Sequence, residues 1–325
     1  MPRPKVGFTF PCRLPLSGLP PIAREVERAG FDELWVVEDC FLAGGIATTA
    51  TALAVTERIT VGLGILPAVA RNAAFTAMEL AALAEAHPGR LIAGLGHGVP
   101  AWMRQIGAAP ASPLTALAEH LDAVRRLLAG ETVTTQGRYV RLDGVALDFP
   151  PAVPPPVVAG VRGPKSLRVS GRYADGTHLA EPASPEYIAA ARRSIETGRT
   201  GQERPHRIDV NAWLHVDDDA DRARAALRPT VAAAVTDPAL AAHIEALDFA
   251  ADARELARLP EAERVAAVPD AWVDALAVVG TPRDCARRIT ELHEAGAESV
   301  ILYPPGDVTE QLSRAAGQVL PLLRG

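Results

Sequence analysis

The sequence predicts a (β/α)₈ barrel, in which eight parallel strands alternate with helices around a closed ring. Two short apolar runs, residues 60–67 (TVGLGILP) and 91–100 (LIAGLGHGVP), flank an alanine-rich segment of helical composition at residues 72–87. Strand, helix and strand in this order form the repeating unit of a parallel α/β protein. Both runs carry glycines where the strand ends, and glycine lets a flat ligand approach the backbone because it has no Cβ. The pattern therefore predicts a barrel that binds a cofactor.

Four strand and helix units are predicted in the first half of the chain. The first helix stops at Ala29-Gly30, because glycine readily takes the left-handed conformation that ends a helix. The predicted strands cover residues 5–10, 31–37, 59–66 and 90–95, and the predicted helices cover residues 19–30, 44–56, 72–87 and 114–129.

The second half is predicted to hold four more barrel strands and two insertions. Residues 131–150 alternate Thr and Val around Gln136-Gly137, which suits a turn, and this predicts a hairpin on the rim of the barrel. Residues 218–274 are rich in Ala, Glu and Arg and predict a helical insertion, followed by a short strand at residues 275–279. The barrel strands are predicted at residues 157–160, 177–180, 208–216 and 299–303, and the helices at residues 164–172, 185–197, 282–295 and 308–323.

Length and composition are those of a globular protein. The 325 residues exceed a barrel of about 250 residues, and the two insertions explain the excess, so we predict one domain over residues 1–325. Hydrophobic residues make up 48% and charged residues 22%, which is enough for a large core without disulfides or metals. With 33 Lys and Arg against 39 Asp and Glu the net charge is −6, and no long basic run is present, which disfavours a nucleic-acid partner.

The cysteines and the N-terminus indicate a reducing compartment. Cys12, Cys40 and Cys285 are odd in number, far apart and without CxxC spacing, which argues against a disulfide framework and a zinc site. No signal-peptide core and no apolar run of about 18 residues is present, so we predict a soluble, cytoplasmic protein with no membrane partner. A metal hydrolase is disfavoured, because its mouth would need several His and Asp ligands and only scattered ones occur.

Five segments, in the same order, resemble the bacterial luciferase-like flavin and deazaflavin oxidoreductases, particularly the branch that uses coenzyme F420. The likeness extends over nearly the whole chain. It implies a (β/α)₈ barrel with the flavin or deazaflavin ring at the C-terminal mouth, a small organic substrate and a homodimer. The segments are AGFDELWVVED (29–39), ERITVGLGILP (57–67), GRLIAGLGHG (89–98), VRGPKSLRVSGRYADG (161–176) and GTPRDCARRITELHEAGAESVILYP (280–304).

The resemblance also implies where the cofactor binds. In the family a non-proline cis peptide at the end of the third strand bulges against the ring, and the matching pair is Gly64-Ile65. The start of the helix after the fifth strand binds the cofactor phosphate in the family, since free N–H groups and the helix dipole favour an anion there. The predicted cofactor-binding residues are Asp39, Gly64, Ile65, Gly96, His97, Gly98, Ala159, Gly160, Gly163, Pro164, Lys165 and Ser166.

The predicted catalytic residues are Asp39, Cys40 and His97. The deazaflavin enzymes often carry Asp-His at the end of the second strand, and here Cys40 replaces the His. A cysteine serves as an acid or nucleophile only if its pKa is lowered, so the resemblance leaves the acid/base role with His97 or Glu38, or with neither. The near-neutral pKa of His97 suits proton transfer. Weaker candidates at the mouth are Arg71, Asn72, Trp102 and Glu181.

Three functions remain open from the sequence. The first is hydride transfer between coenzyme F420 and an alcohol or a pterin-like imine. The second is a flavin mononucleotide (FMN) monooxygenase that receives reduced flavin from a partner reductase. The third is a binding protein that retains the barrel and lacks catalysis. The fold alone does not separate them, because function resides in the site.

Overall fold

The computed structural model describes residues 3–324, in which the strands form one parallel sheet and one separate hairpin. The strands are β1 (Lys5–Phe10), β2 (Glu33–Val36), β3 (Thr60–Pro67), β4 (Leu91–Gly96), β5 (Val133–Gln136), β6 (Arg141–Val145), β7 (Val157–Gly160), β8 (Gly176–Leu179), β9 (Arg207–Val216), β10 (Val278–Gly280) and β11 (Ser299–Tyr303).

Eight of these strands close into a barrel. The ring runs β1, β2, β3, β4, β7, β8, β9 and β11, and it closes where β11 pairs with β1. All of its pairs are parallel. The strands are buried on both faces, by lumen side chains inside and by helices outside, which explains their continuous apolar runs. The predicted (β/α)₈ barrel is confirmed.

The helices surround this ring, and local sequence sets several of their ends. Asn72 caps the helix Ala73–Ala86 by accepting a hydrogen bond from Ala74 N, and Gly30, at a φ of 83°, ends the helix Leu19–Ala29. The helices are α1 (Leu19–Ala29), α2 (Gly45–Val55), α3 (Ala73–Ala86), α4 (Pro100–Gln105), α5 (Pro113–Leu128), α6 (Pro164–Tyr173), α7 (Pro185–Gly198), α8 (Ala220–Thr236), α9 (Ala241–Ile244), α10 (Ala250–Leu256), α11 (Glu261–Ala267), α12 (Asp270–Leu276), α13 (Pro282–Glu294), α14 (Val308–Arg314) and α15 (Leu320–Arg324).

The rim hairpin is confirmed as β5 and β6, which pair antiparallel. Its turn is tied to α5 by Glu119, whose carboxylate accepts hydrogen bonds from the backbone N–H groups of Arg138, Tyr139 and Val140 at 2.9, 2.7 and 2.9 Å. Ordinary turn chemistry would predict the hairpin but not this anchor, which fixes it against the barrel.

The helical insertion is also confirmed, as α8 to α12, but its end differs from the sequence prediction. Residues 275 and 276 belong to α12, and the strand begins only at β10. β10 pairs with β9 through Val278 and Leu214 and adds a strand beside the ring rather than within it. A short apolar run such as ALAVVG has no period that separates a helix end from a strand, which is why the prediction began early.

Helix α4 and the start of β2 also differ from the prediction. The six residues of α4 follow the glycines after β4 and are too few to give a helical period, so the sequence does not predict this helix. The second strand begins at Glu33 rather than at residue 31. Within residues 3–324 no helix is long and apolar enough to span a membrane.

Candidate active site

Two non-proline cis peptides occur in residues 3–324, Cys40-Phe41 after β2 and Gly64-Ile65 at the end of β3. The Gly64-Ile65 peptide is cis, as the resemblance implies. The pairing of β3 with β4 shifts register between Leu63 and Leu66, so that Ile65 leaves the ladder. Gly64 and Ile65 are partly exposed while the residues on either side are buried. This bulge therefore faces the open end of the ring.

Three glycines make room for the side chain of Ile65. A Cβ at Gly160 of β7 would lie 2.4 Å from Ile65 Cγ2. At Gly94 and Gly96 of β4, an added Cβ would lie 2.9 and 2.8 Å from the two Ile65 methyl carbons. Only glycine tolerates such an approach. The side chain of Ile65 thus rests on bare backbone and offers an apolar platform at the mouth.

A stacked pair of rings supports the bulge from inside the lumen. The His178 imidazole lies on the Trp35 indole with 4.4 Å between ring centroids and 16° between their planes. A Cβ at Gly64 would lie 3.0 Å from His178 Nε2 and 3.1 Å from Trp35 Cε3. Burial, and then the charge of Arg207, lower the pKa of His178 to about 3. His178 is therefore neutral and packs as a flat aromatic ring.

A buried ion cluster holds Trp35 from below. Trp35 Nε1 donates to Glu33 Oε2 at 2.8 Å. Arg207 donates to Glu33 Oε1 at 2.8 Å and to both oxygens of Asp209 at 2.6 and 2.8 Å. Burial, with the charge of Glu33, raises the pKa of Asp209 to about 7 against the attraction of Arg207. The bulge is thus supported by Trp35, and Trp35 is held by the ion cluster deeper in the barrel.

The start of α6 presents backbone N–H groups to the other side of the mouth. Gly163 is its N-cap residue, and no side chain caps the helix. Pro164 and Lys165 are exposed, and a Cβ at Gly163 would meet nothing within 4 Å. Ala159 and Gly160 end β7 just before this turn. These uncapped N–H groups and the exposed ammonium of Lys165 form the arrangement that favours a phosphate.

His97 is tied to this helix start. Its Nε2 lies 2.9 Å from Ser166 Oγ, and the ring also hydrogen-bonds the Pro113 carbonyl. Since a carbonyl accepts, the ring donates to Pro113 and Nε2 accepts the hydroxyl proton of Ser166. Burial lowers the pKa of His97. The structure thus brings His97 and Ser166 together, with both ring nitrogens occupied, while Gly98 turns the chain at a φ of 69°.

Asp39 faces the opposite part of the mouth. Cys12 Sγ donates to Asp39 Oδ2 at 3.3 Å, and burial together with Asp39 raises the pKa of this thiol to about 12. Burial raises the pKa of Glu181, which follows β8, and the charge of Asp39 adds to this effect. In β9, Asn211 Oδ1 accepts from Thr9 Oγ1 at 3.5 Å. Asp39 thus has a neutral thiol as its hydrogen-bond partner, and Asn211 has the hydroxyl of Thr9.

Cys40 has no positive partner of its own. Glu38 binds Arg71 in a bidentate ion pair with N–O distances of 2.5 and 2.7 Å and accepts from Gly45 N at 2.5 Å. Burial, followed by the charges of Glu38 and Asp39, raises the pKa of Cys40 above its ordinary value. The condition under which a cysteine becomes an acid or nucleophile is not met, and Cys40 is a neutral thiol.

Three of the four weaker candidates, Arg71, Asn72 and Trp102, occupy structural positions. Arg71 and Asn72 line a cavity of about 280 Å³ between the start of α3, residues 107–110 and the hairpin. Asn72 caps α3, and Trp102 is half-buried on α4. Among residues 3–324, no group of three or more His, Cys, Asp or Glu side chains is arranged to hold a metal ion.

The helical insertion contacts the loop that carries Glu181. His243 of α9 donates through Nδ1 to the Pro182 carbonyl at 2.8 Å and stacks on Tyr187 with 3.9 Å between centroids. The Tyr187 hydroxyl donates to the Arg162 carbonyl at 2.8 Å. The Glu181-Pro182 peptide is cis. The insertion thus fixes two mouth loops against each other.

Sequence reasoning missed the residues that line the lumen, namely Trp35, His178 and Asn211. A signal for some of them was present in β9, where Arg207, Asp209 and Asn211 place polar side chains at alternate positions of an apolar strand. In a strand buried on both faces, such alternation marks the side that faces the lumen.

Comparisons with known proteins agree with this geometry. The model of the luciferase-like monooxygenase family matches residues 12–299. A 5,10-methylenetetrahydromethanopterin reductase of Methanolobus tindarius is 32% identical over 309 residues, which cover 92% of this chain and 94% of the relative. An F420-dependent glucose-6-phosphate dehydrogenase of Nakamurella multipartita is 27% identical, covering 95% of this chain and 93% of the relative.

A solved structure gives the same fold. The coenzyme F420 dependent tetrahydromethanopterin reductase of Methanopyrus kandleri superposes with a TM-score of 0.84 over 99% of both chains at 21% identity. At this identity the likeness concerns the fold.

Proposed function

Because the chain belongs to the luciferase-like monooxygenase family, we propose that it is an oxidoreductase that transfers a hydride between coenzyme F420 and a small organic substrate. The observation that carries this proposal is the bulge at Gly64-Ile65, whose side chain rests on three glycines above a neutral ring pair. The relatives named above include two kinds of enzyme, one that reduces a pterin derivative and one that depends on F420.

The residues at the mouth fit a deazaflavin. When bound, the cofactor supplies a ring carbon that carries a hydride. Ile65 and Gly64 would support one face of the ring, and the start of α6, with Gly163, Lys165 and Ser166, would hold the phosphate. His97 would keep Ser166 in position rather than reach the reacting atoms, because its nitrogens have partners. The proton-transfer role predicted for His97 stays a prediction.

The same mouth would bind the substrate against the exposed face of the ring. Asp39, Glu181 and Tyr303 lie at or after the ends of β2, β8 and β11, and Asn211 lies on β9, so these residues would line this space. They offer hydrogen-bond donors and acceptors to one polar group, and an alcohol, a carbonyl or a pterin-like imine meets that requirement. The protein's task is orientation, exclusion of water and control of protons.

The second candidate is an FMN-dependent monooxygenase supplied by a flavin reductase. The description of the matching family favours it, because it names a monooxygenase. Oxygen separates the two: reduced flavin reacts rapidly with it, whereas reduced deazaflavin does not.

The proposed partner is a second copy of this chain, bound through α2 and α3. The outward face of α3 exposes Phe75 and Met78, which are 62% and 54% accessible. α2 contains no charged residue in its sequence GIATTATALAV, and its exposed positions include Ala47 and Ala54. Exposed apolar side chains on two neighbouring helices of a globular protein suit an interface. The three cysteines are free thiols, which suits a cytoplasmic location.

Parallel fluorescence titrations with oxidised coenzyme F420 and with FMN test the proposal. Low-micromolar or tighter binding of F420, with little binding of FMN, is the expected result. Tighter binding of FMN than of F420 would favour the monooxygenase. If the protein binds neither F420 nor FMN, both candidate functions are contradicted.

A further inference from the structure

We propose that the amino-terminal end of the barrel carries a second binding site, which takes a small polyvalent oxyanion such as a diphosphate or a polycarboxylate. The site is a cavity of about 410 Å³ lined by Arg125, Arg172, Gln202, Glu203 and Arg204. It lies away from the mouth, so this inference goes beyond the proposed function and does not depend on it.

The cavity lies where strands of the barrel begin. Asp175, the residue before β8, accepts a hydrogen bond at 3.0 Å from the backbone N–H of Val157, the first residue of β7. Arg125, from the last turn of α5, and Arg204, from the loop before β9, both pair with this carboxylate. Because parallel strands all end at the mouth, the starts of β7, β8 and β9 lie at the opposite end of the ring. A ligand here would not contact the residues proposed to hold F420.

Asp175 orients two of the arginines. Its Oδ1 accepts from Arg125 Nε at 2.9 Å and from Arg204 Nη1 at 2.9 Å. Arg204 also donates through Nη2 to the Arg172 carbonyl at 3.1 Å and through Nε to Gln202 Oε1 at 2.9 Å. The side chains of Arg125 and Arg204 are each only 28% exposed. A guanidinium has five N–H donors, and the contacts within residues 3–324 leave some of these unused on both side chains. The two forks are therefore held in place before any ligand arrives.

Arg172 brings a third guanidinium to the cavity, without a carboxylate partner. It lies in the last turn of α6 and is exposed. In the part of the chain that the structure describes, Arg172 forms no ion pair, and its guanidinium carbon lies over the Tyr173 ring at 5.4 Å from the centroid. Its N–H donors are thus available to an anion that already contacts the other two arginines.

Positive charge exceeds negative charge around the cavity. Three arginines line it against one carboxylate, Glu203, and two of the arginines share Asp175. Arg199 adds a further guanidinium, which donates to the Arg204 carbonyl. Burial, followed by the charges of Arg125 and Arg199, lowers the pKa of Arg204 against the attraction of Asp175. Neighbouring cations thus repel one another here, and a bound anion would relieve that repulsion.

The chemistry of the lining selects the ligand. A guanidinium fork binds two oxygens of a phosphoryl or carboxylate group at once, and several forks around one cavity suit a ligand with more than one such group. Glu203 repels anions, so a single negative charge is too weak a match and a polyvalent anion is required. The cavity is also within the size range of about 300–1,000 Å³ that is typical of small-molecule sites.

Isothermal titration with pyrophosphate at constant ionic strength tests the site. The wild-type protein should bind it with a dissociation constant of about 1 mM or tighter. Arg172→Gln should weaken binding about tenfold or more and leave the melting temperature of the free protein unchanged, because it breaks no ion pair. Arg138→Gln is the matched control: Arg138 is also exposed and lies over the following Tyr139 at 5.3 Å, but outside this cavity. Glu203→Gln should tighten binding, because it removes the repelling charge.

Two further titrations assign the ligand and its place. Citrate in place of pyrophosphate separates the two chemistries: similar affinities support a site for polycarboxylates as well, and binding of pyrophosphate alone supports a phosphoryl site. Lys165→Gln removes a charge at the mouth and should leave pyrophosphate binding unchanged. The inference is overturned if the wild type does not bind pyrophosphate, if Arg172→Gln binds it like wild type, or if Arg138→Gln or Lys165→Gln weakens binding as much as Arg172→Gln does. The F420 titration decides the proposed function separately.

Discussion

Ile65 and Gly160 approach each other so closely that a Cβ at position 160 would lie 2.4 Å from Ile65 Cγ2. The two residues belong to strands that do not pair directly, since β4 lies between β3 and β7. Ile65 therefore crosses the face of β4 and contacts the backbone of the next strand. Position 160 must be glycine because the side chain of Ile65 occupies the space that a Cβ would need. The apolar surface of Ile65 is then available to support a ligand.

Replacing Gly160 by Ala should displace this platform. The added methyl group overlaps Ile65 Cγ2, so we expect a loss of about 1–3 kcal/mol in the free energy of unfolding and at least tenfold weaker binding of F420. Urea unfolding and fluorescence titration measure the two effects. In an Ile65→Ala background the penalty should largely disappear, because the overlap is with that side chain.

The control for this substitution is Gly317→Ala. Nothing lies within 4 Å of a Cβ at Gly317, and the residue is helical, so Ala should be neutral or stabilising by up to about 1 kcal/mol. If Gly160→Ala behaves like Gly317→Ala, the contact between Ile65 and Gly160 does not hold the platform.

The strand order, the hairpin and the insertion were predictable because each depends on local pattern. Apolar runs flanked by helical segments define the eight barrel strands, and the Gln136-Gly137 turn defines the hairpin. Charged or alanine-rich composition defined residues 218–274 as helical. The predicted boundary between the last helix of that segment and the following strand was wrong, because the buried run at residues 275–280 has no helical or strand period.

The site was less predictable, because its contacts join residues far apart in sequence. The His97 bond to Ser166 spans 69 residues, and the Thr9 bond to Asn211 spans 202 residues. The sequence identified His97 and Ser166 separately, but not that each satisfies the other. Nor does any local pattern reveal that His243 of the insertion supports the loop of Glu181.

The acidity of Cys40 should respond to Glu38. Because the charge of Glu38 is one cause of the raised pKa, Glu38→Gln should lower that pKa and speed alkylation by iodoacetamide at pH 8. The measurement uses a Cys12→Ser background, since Cys285 is fully buried.

Two comparisons make this test specific. Glu298→Gln removes a carboxylate that pairs with Lys5, away from Cys40, and should leave the alkylation rate unchanged. Equal rates for Glu38→Gln and the parent would mean that burial alone sets the acidity of Cys40.

Phe75→Glu should produce a monomer if α3 forms the proposed interface. Two copies of a charge at a symmetric apolar contact would be desolvated without partners, so we expect light scattering to give half the wild-type mass. Phe149→Glu is the matched control, because Phe149 is 76% exposed and follows the hairpin instead of lying on α3. A wild-type mass for Phe75→Glu, or a monomer for Phe149→Glu, would refute this interface.

His243 should make the protein less stable in acid. Burial lowers its pKa to about 4, so below the ordinary value of 6.5 the unfolded chain binds a proton that the folded protein does not. This contribution to stability is present above pH 6.5 and is lost as the pH falls to about 4, by about 3 kcal/mol for a fully buried imidazole. His243→Phe keeps a ring against Tyr187 but cannot be protonated, so its free energy of unfolding should fall by about 3 kcal/mol less than that of wild type between pH 7 and pH 4.

Urea unfolding at pH 7, 5.5 and 4 measures the difference between the two proteins, in which the titrations of His178, His206 and Asp209 cancel. Parallel curves would mean that His243 is accessible to protons in the folded state, and that the insertion does not seal the loop of Glu181.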